Sequence, residues 1–327
     1  MPEFSEAESR TSLSSERAES LGLVVVVGAA NTDIVGRSLA PLVERDSNPG
    51  IARVSSGGVG RNIAENLARL GVGVELIAAL GGDHNARGLA EECRRLGIGL
   101  THAVAAPDLP GSLYLAVLDD AGEMAIALND MRVLERLGVA ELAARADVFS
   151  AARVVVVDAN LSAEAIRWIA EHVEAPIVLD PVSAAKAPRV DGVLDRLAVL
   201  KCNAMEAAVL AGVTEPNERV GIEQVAARLR GRGVATVYVT AGKLGAYFTS
   251  CDESGWLSDN VVEVVNATGA GDAFTAGVAW SMLHEWSVSR CAAAGSALAA
   301  MALASEHTVS DRVSAQSVRA TMKEMHL

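Results

Sequence analysis

Leu23-Val24-Val25-Val26-Val27 is a run of apolar, mostly β-branched residues with no polar alternation, the pattern of a strand covered on both faces in a parallel sheet. After Asn62 the spacing of Ile63, Leu67 and Leu70 predicts a helix with one apolar face. Val74 to Leu80 reads as the next strand and Ala86 to Leu96 as its helix. From residue 139 the alternation continues, with strands at 153–157, 176–180, 197–200 and 235–240 and helices at 162–171, 203–211 and 221–230. Helices at about 288–304 and 313–324 close the chain, and no internal repeat is visible. This rhythm predicts an α/β fold, a doubly wound, mostly parallel sheet flanked by helices. Residues 112–131 break it: two strand-like runs flank the hairpin turn Asp119-Asp120-Ala121-Gly122. In the second run Met124, Ile126 and Leu128 alternate with Glu123, Ala125 and Ala127, predicting one buried face and one more open. A hairpin inserted among βα units reads as a lid.

Composition narrows the picture. The 327 residues suffice for one large α/β domain, and half are apolar while only 3% are aromatic, so the core must be built from Ala, Val, Leu and Ile. A net charge of −13 argues against nucleic acid or an anionic membrane as partner. Cys93, Cys202, Cys251 and Cys291 form no CxxC pair and the six histidines no HExxH, which leaves no zinc or disulfide framework and points to a reducing cytoplasm. Residues 1–20, rich in Ser, Glu and Arg, read as a disordered tail. The longest uncharged run, Cys291 to Ser305, is too short for a membrane span and reads as a buried helix.

Candidate chemistry centres on Asn266-Ala267-Thr268-Gly269-Ala270-Gly271-Asp272-Ala273-Phe274, where a glycine-rich turn opens into a helical pattern ending near Leu283. Gly269 and Gly271 allow close backbone approach, and the first helical N–H groups lack carbonyl partners, so the segment is suited to hold phosphate. Asp272, one step away, suits a base for an attacking hydroxyl; the purely structural alternative is a helix-start acid. An ordinary carboxylate pKa of about 4 suffices for that role.

Asn31 and Asp33 follow the first strand, where open α/β sheets bind ligands, although turn chemistry alone also explains them. Asp46-Ser47-Asn48-Pro49-Gly50 is a turn, and Ser56-Gly57-Gly58-Val59-Gly60-Arg61-Asn62 leads into a helix. It is not a dinucleotide fingerprint, because the third glycine would fall at Ile63, and no Walker lysine motif is present. Asn203 and Glu206 are positioned to hold a hydrated Mg²⁺, or else form a helix-capping pair. Thr240-Ala241-Gly242-Lys243-Leu244-Gly245 is a second turn able to cover a nucleotide phosphate, and Asn129-Asp130-Met131 ends the hairpin.

The order of these motifs resembles the ribokinase-like, or PfkB, family of carbohydrate and nucleoside kinases across roughly residues 23–312. The stretches around Asp46–Gly50, Gly57–Ala64, Asn129–Met131, Asp180–Ser183 and Glu253–Trp256 look most like the branch acting on pseudouridine. The resemblance implies one kinase domain over 21–327 with β-lid elements at about 34–55 and 100–131. It implies Asp272 as base and Gly269, Ala270 and Gly271 as its anion hole. Asn31, Asp33, Gly57, Gly58 and Asn62 become sugar contacts, with Ser47, Asn48, Asn129 and Asp130 candidates around the nucleobase. Asn203, Thr240, Gly242, Gly245 and Thr268 are assigned to the nucleotide, and Asn203 and Glu206 to Mg²⁺ through water. Cofactors would be ATP and Mg²⁺, with K⁺ a further candidate; apart from the resemblance, an exposed lid edge is a candidate for pairing in a homodimer. Cys202 stands where relatives often carry Pro, a change expected to alter loop stiffness rather than ligation. Kinases of ribose, adenosine or inosine remain alternatives, as does a non-catalytic ligand sensor; a NAD-dependent dehydrogenase is disfavoured by the missing fingerprint.

Overall fold

The computed structural model describes residues 21–258 and 264–325, so the tail expected at 1–20 lies outside the described residues. β1 (Leu23–Val27) is buried from Val24 onward, as its unbroken apolar run requires. Within four residues the chain enters β2 (Asn31–Ser38), which pairs antiparallel with β3 (Gly50–Gly57). Asn31 and Asp33 therefore open a strand of a second sheet rather than forming the turn that ends β1. α1 (Val59–Arg69) then packs Ile63 and Leu67 into the core. Val74 to Leu80 is not one strand. β4 (Gly73–Ile77) joins the central sheet, whereas β5 (Ala79–Gly81) leaves it; the buried Ala78 marks the bend, which a uniformly apolar run does not reveal. α2 (His84–Arg95) and β6 (Ile98–Gly99) follow, and β7 (Val104–Ala106) pairs with β5.

β8 (Ser112–Leu118) and β9 (Met124–Asp130) form the expected hairpin. With β2 and β3 they make a four-stranded sheet in the order β3-β2-β8-β9. Register places Val54, Ile34, Leu115 and Leu128 in one row on one face, while Asn31 lies opposite both Gly57 and Ser112. The face expected to be buried is open: Met124, Ile126 and Leu128 are 59%, 62% and 58% exposed. Alternation identifies which residues share a face, but not whether anything covers it.

The second half of the chain adds α3 (Val139–Ala143), α4 (Ala146–Ser150), β10 (Ala152–Asp158), α5 (Ala163–His172) and β11 (Ile177–Asp180). A 3₁₀ stretch at Ala187–Arg196 leads to β12 (Val199–Asn203), α6 (Ala204–Ala211), α7 (Arg219–Gly231), β13 (Val237–Thr240), β14 (Ala246–Thr249) and β15 (Ser254–Leu257). α8 (Ala270–Leu283), α9 (Val288–Leu303) and α10 (Ala315–Glu324) complete it. The central sheet runs β15-β14-β13-β12-β11-β10-β1-β4-β6, parallel from β13 to β6 with β14 and β15 antiparallel at the edge. Strand order reverses between β10 and β1, where an open sheet has its ligand crevice.

Val24 and Val26 face one core with α1, α8 and α9; Val25 and Val27 face the other with α5 and α7. α8 and α9 touch through their backbones: a Cβ on Gly277 would lie 2.8 Å from the Gly295 Cα and the Ala294 carbonyl. Among the described residues no helix is long and apolar enough to cross a membrane.

Candidate active site

The carboxyl ends of the parallel strands meet the N-terminus of α8. Gly269 caps that helix at φ 85°, in the left-handed region, and a Cβ there would lie 2.2 Å from the Thr308 carbonyl oxygen. The first 5→1 hydrogen bond runs from the Ala273 N–H to the Gly269 carbonyl, 2.9 Å. The amides of Ala270, Gly271 and Asp272 precede it, so helix geometry gives them no carbonyl partner, and the set expected at residues 269–271 moves on by one because Gly269 is the N-cap. Thr268 is exposed, and its N–H donates to Asn266 Oδ1 at 2.9 Å, which fixes the turn into the helix. Asp272 accepts from Asn62 Nδ2 at 2.8 Å. Burial and then the nearby Asp180 push its carboxyl up to about 7, against the opposing effects of the Asn62 bond and Lys201. The ordinary value of about 4 expected from sequence is therefore corrected: the chain alone does not reveal how deep this carboxylate sits.

Beneath Asp272 lies a buried polar network that sequence reasoning left without a role. Asp180, at the end of β11, accepts from Lys201 Nζ (3.1 Å) and Thr275 Oγ1 (2.9 Å) through Oδ2, and from the Val182 N–H (2.9 Å) through Oδ1. Lys201 Nζ also lies 2.7 Å from where a Gly271 Cβ would stand, directly under the anion hole. Burial pulls its pKa down, but Asp180, Glu206 and Asp272 together carry it above the usual lysine value. Asp158, at the end of β10, accepts from the Ala29 and Gly60 N–H groups at 2.8 Å each and from Asn160 N–H at 2.9 Å. It ties the loop after β1 to the start of α1. The available signal was position: Asp158 and Asp180 both end apolar parallel strands, the rule that singles out Asn31 and Asp33.

Asn203 and Glu206 form the capping pair in full: Asn203 Oδ1 accepts the Glu206 N–H (2.8 Å) and Glu206 Oε2 accepts the Asn203 N–H (2.9 Å). Asn203 Nδ2 donates to the remaining oxygen at 2.9 Å. Among the described residues no group of three or more His, Cys, Asp or Glu is gathered to hold a metal. With both Glu206 oxygens engaged, this donor set fits a hydrated Mg²⁺ contacted through water rather than a direct chelate. Next to it a cleft of about 610 Å³ is lined by Asn203, Met205, Pro216, Ile222, Thr240 and Gly242. Thr240 Oγ1 donates to the Cys202 carbonyl at 3.4 Å, and Gly245, at φ 96°, closes the Gly242–Leu244 turn.

Across the crevice, Asp33 lies over Gly57, where a Cβ would come within 2.0 Å of Asp33 Oδ2. Burial raises the Asp33 carboxyl to about 6, offset in part by Arg61. Asn31 Oδ1, Asp33 Oδ1 and Ser112 Oγ are buried without a hydrogen-bond partner among the described residues. Ser112 escapes a sequence reading because only the β2–β8 register brings it opposite Asn31. Gly58 turns the chain at φ 94° into α1. Of the other four candidates, register puts Asn129 in one row with Tyr114 and Asp33, on the same face of the small sheet. Asn48 is spent bracing its own loop, bonding the Val43 N–H and the Val43 and Asp46 carbonyls, and Ser47 is exposed beside it. Asn129 is exposed on β9, and Asp130 is forked by Arg132 at 2.9 and 2.6 Å, hydrogen bonds that hold its pKa down near 2.

Residues 22–314 match the pfkB family of carbohydrate kinases. The chain is 36% identical over 287 residues to a pseudouridine kinase of Escherichia coli, covering 87% of this chain and 91% of that one. It is 29% identical over 289 residues to a guanosine-inosine kinase of Exiguobacterium acetylicum, covering 86% and 94%. The fold superposes on a ribokinase of Thermotoga maritima with a TM-score of 0.81 at 21% identity, covering 92% and 99%. The chain belongs to the pfkB family of carbohydrate kinases, and is an ATP-dependent kinase of sugars or nucleosides.

Proposed function

We propose that this pfkB-family kinase transfers the γ-phosphoryl group of ATP to the 5′-hydroxyl of pseudouridine. The observation that carries the reading is the pairing of Asp272 with Asn62 beside the free amides of α8, facing the unpartnered Asn31, Asp33 and Ser112. A buried polar atom with no partner is a place reserved for one, and the 2′- and 3′-hydroxyls of a ribosyl group are donors and acceptors suited to such atoms. The choice of pseudouridine is supported by the relative at 36% identity. The guanosine-inosine kinase, at 29%, favours as second reading a kinase of another nucleoside.

In this reading Asp33 and Asn31 orient the sugar, and Asp272 accepts the 5′-hydroxyl proton as the oxygen attacks in line. The amides of residues 270–272 stabilise charge on the transferring group, with the Lys201 ammonium beneath them. Mg²⁺, when bound, would neutralise phosphate charge, held through water by Asn203 and Glu206. The cleft at Thr240 and Gly242 takes the nucleotide. The small sheet acts as a lid that excludes water from the reacting phosphate. Its apolar outer face, Val54, Ile126 and Leu128, is matched to a second copy of the chain, giving a homodimer. Use of ATP is in keeping with a cytoplasmic setting.

The test is ADP release with Mg²⁺-ATP against pseudouridine, uridine, adenosine, inosine, guanosine and ribose, with mass detection of the product. A strong preference for pseudouridine is expected. Turnover confined to another substrate would retain the mechanism and replace the substrate; silence on all six would return the chain to a ligand sensor.

A further inference from the structure

Arg61 is buried in the first turn of α1, and its guanidinium makes three kinds of contact. Nη1 donates to the Ser56 carbonyl on β3 at 2.8 Å and to Asn62 Oδ1 at 2.9 Å. Nη2 pairs with Glu65, which is also held by Arg69 at 2.8 Å. Asn62 in turn donates from Nδ2 to Asp272 Oδ2. A chain of contacts, buried at Glu65, Arg61 and Asn62, thus runs Arg69, Glu65, Arg61, Asn62, Asp272.

Because a guanidinium only donates, the Asn62 atom facing it must be the oxygen, and the atom facing Asp272 must be the nitrogen. A donor at that point favours the ionised carboxylate and occupies one of its two oxygens, leaving Oδ1 for an incoming hydroxyl. If the amide were free to turn, its oxygen would instead accept a proton from the neutral acid and favour that form. We infer that Arg61 is a positioning residue that locks the Asn62 amide in the orientation keeping Asp272 competent as a base. This rests on the reading of Asp272 as the base. The other groups acting on Asp272 are Asp180 on β11, Lys201 on β12 and Asp158 on β10, none of which touches Arg61.

The experiment is the pH dependence of kcat/KM for R61M, R61K, N62A and the R61M/N62A double variant, with whichever substrate of the panel releases ADP fastest. R61M leaves Glu65 its Arg69 partner, so no buried carboxylate is stranded. The acid limb of R61M is expected to move up by about one pH unit, as is that of N62A, with no further movement in the double variant. The KM for ATP of R61M stays within about twofold, since the altered contacts lie on α1 and β3. R61K keeps a cation but not the planar fork. Its acid limb moves as well, and it carries the test if R61M fails to fold. An acid limb at the parental position in R61M or R61K, or a double variant whose shift is the sum of the two, overturns the inference. The base reading fails separately, through a D272N variant that still turns over.

Discussion

On the central-sheet side of the crevice, Asp158, Asp180 and Lys201 are buried and engaged, each bonded within the chain itself. On the small-sheet side, Asn31 Oδ1, Asp33 Oδ1 and Ser112 Oγ are buried with nothing to bond among the described residues, and Met124, Ile126 and Leu128 are exposed. An unpaired buried polar atom costs about 1–3 kcal/mol, so the side chains of the first side are satisfied as they stand and those of the second are completed by what binds to them. On the proposed reading the phosphoryl-transfer apparatus is built in advance, and recognition is left to the small sheet.

The sharpest test of that division is D272N. It is expected to lower kcat by about 10³-fold or more while titration with nucleoside and with ATP changes little. Near-normal turnover would remove the base from the prebuilt side. G57A attacks the other half, since its methyl group falls 2.0 Å from Asp33 Oδ2. The nucleoside KM should rise about 10–100-fold with the ATP KM unchanged; an equal rise in both would mean the halves are not separable.

A third test follows from the Asp272 carboxyl standing at about 7 and Asp33 at about 6. Both must be ionised to act, so kcat/KM should fall on the acid side of about pH 7, first tenfold per unit and then more steeply. For stability the sign is opposite to that of an ordinary ion-paired carboxylate. The folded state retains a proton that the unfolded chain has lost between about pH 4 and 7, so stability falls as pH rises through that window. D272N should therefore melt higher than the parent near pH 8, on the order of 2 °C, and equally near pH 4. The mildest test is I126S/L128S, expected to halve the mass seen by light scattering and leave turnover within about twofold; an unchanged mass rejects the dimer through this face.

Much of the prebuilt half is legible in the chain. The glycine turn before α8, the GG turn before α1 and the strand at 23–27 announce themselves locally, because loop geometry and strand burial are written in neighbouring residues. Arg61, Lys201 and Ser112 do not, since each acquires its role from partners such as Asn62, Asp180 or Asn31 that only the assembled sheets bring near. Lys201 in particular looks like any lysine near a strand end. The bend at Ala78 is hidden for the opposite reason, an apolar run that suits two sheets equally well. The exposure of β9 and the raised Asp272 carboxyl both depend on surroundings that periodicity does not encode.

The backbone contact between α8 and α9 at Gly277 and Gly295 has one more consequence. A helix pressed so closely against its neighbour cannot slide, so Asp272 is a fixed mark. Asp33, on the small sheet, is the second mark. On the proposed reading a substrate is then measured as by a ruler, from the hydroxyls it offers Asp33 to the hydroxyl it offers Asp272. A sugar one carbon too short at its reactive end is expected to bind and go unphosphorylated, because it would fall short of the graduation.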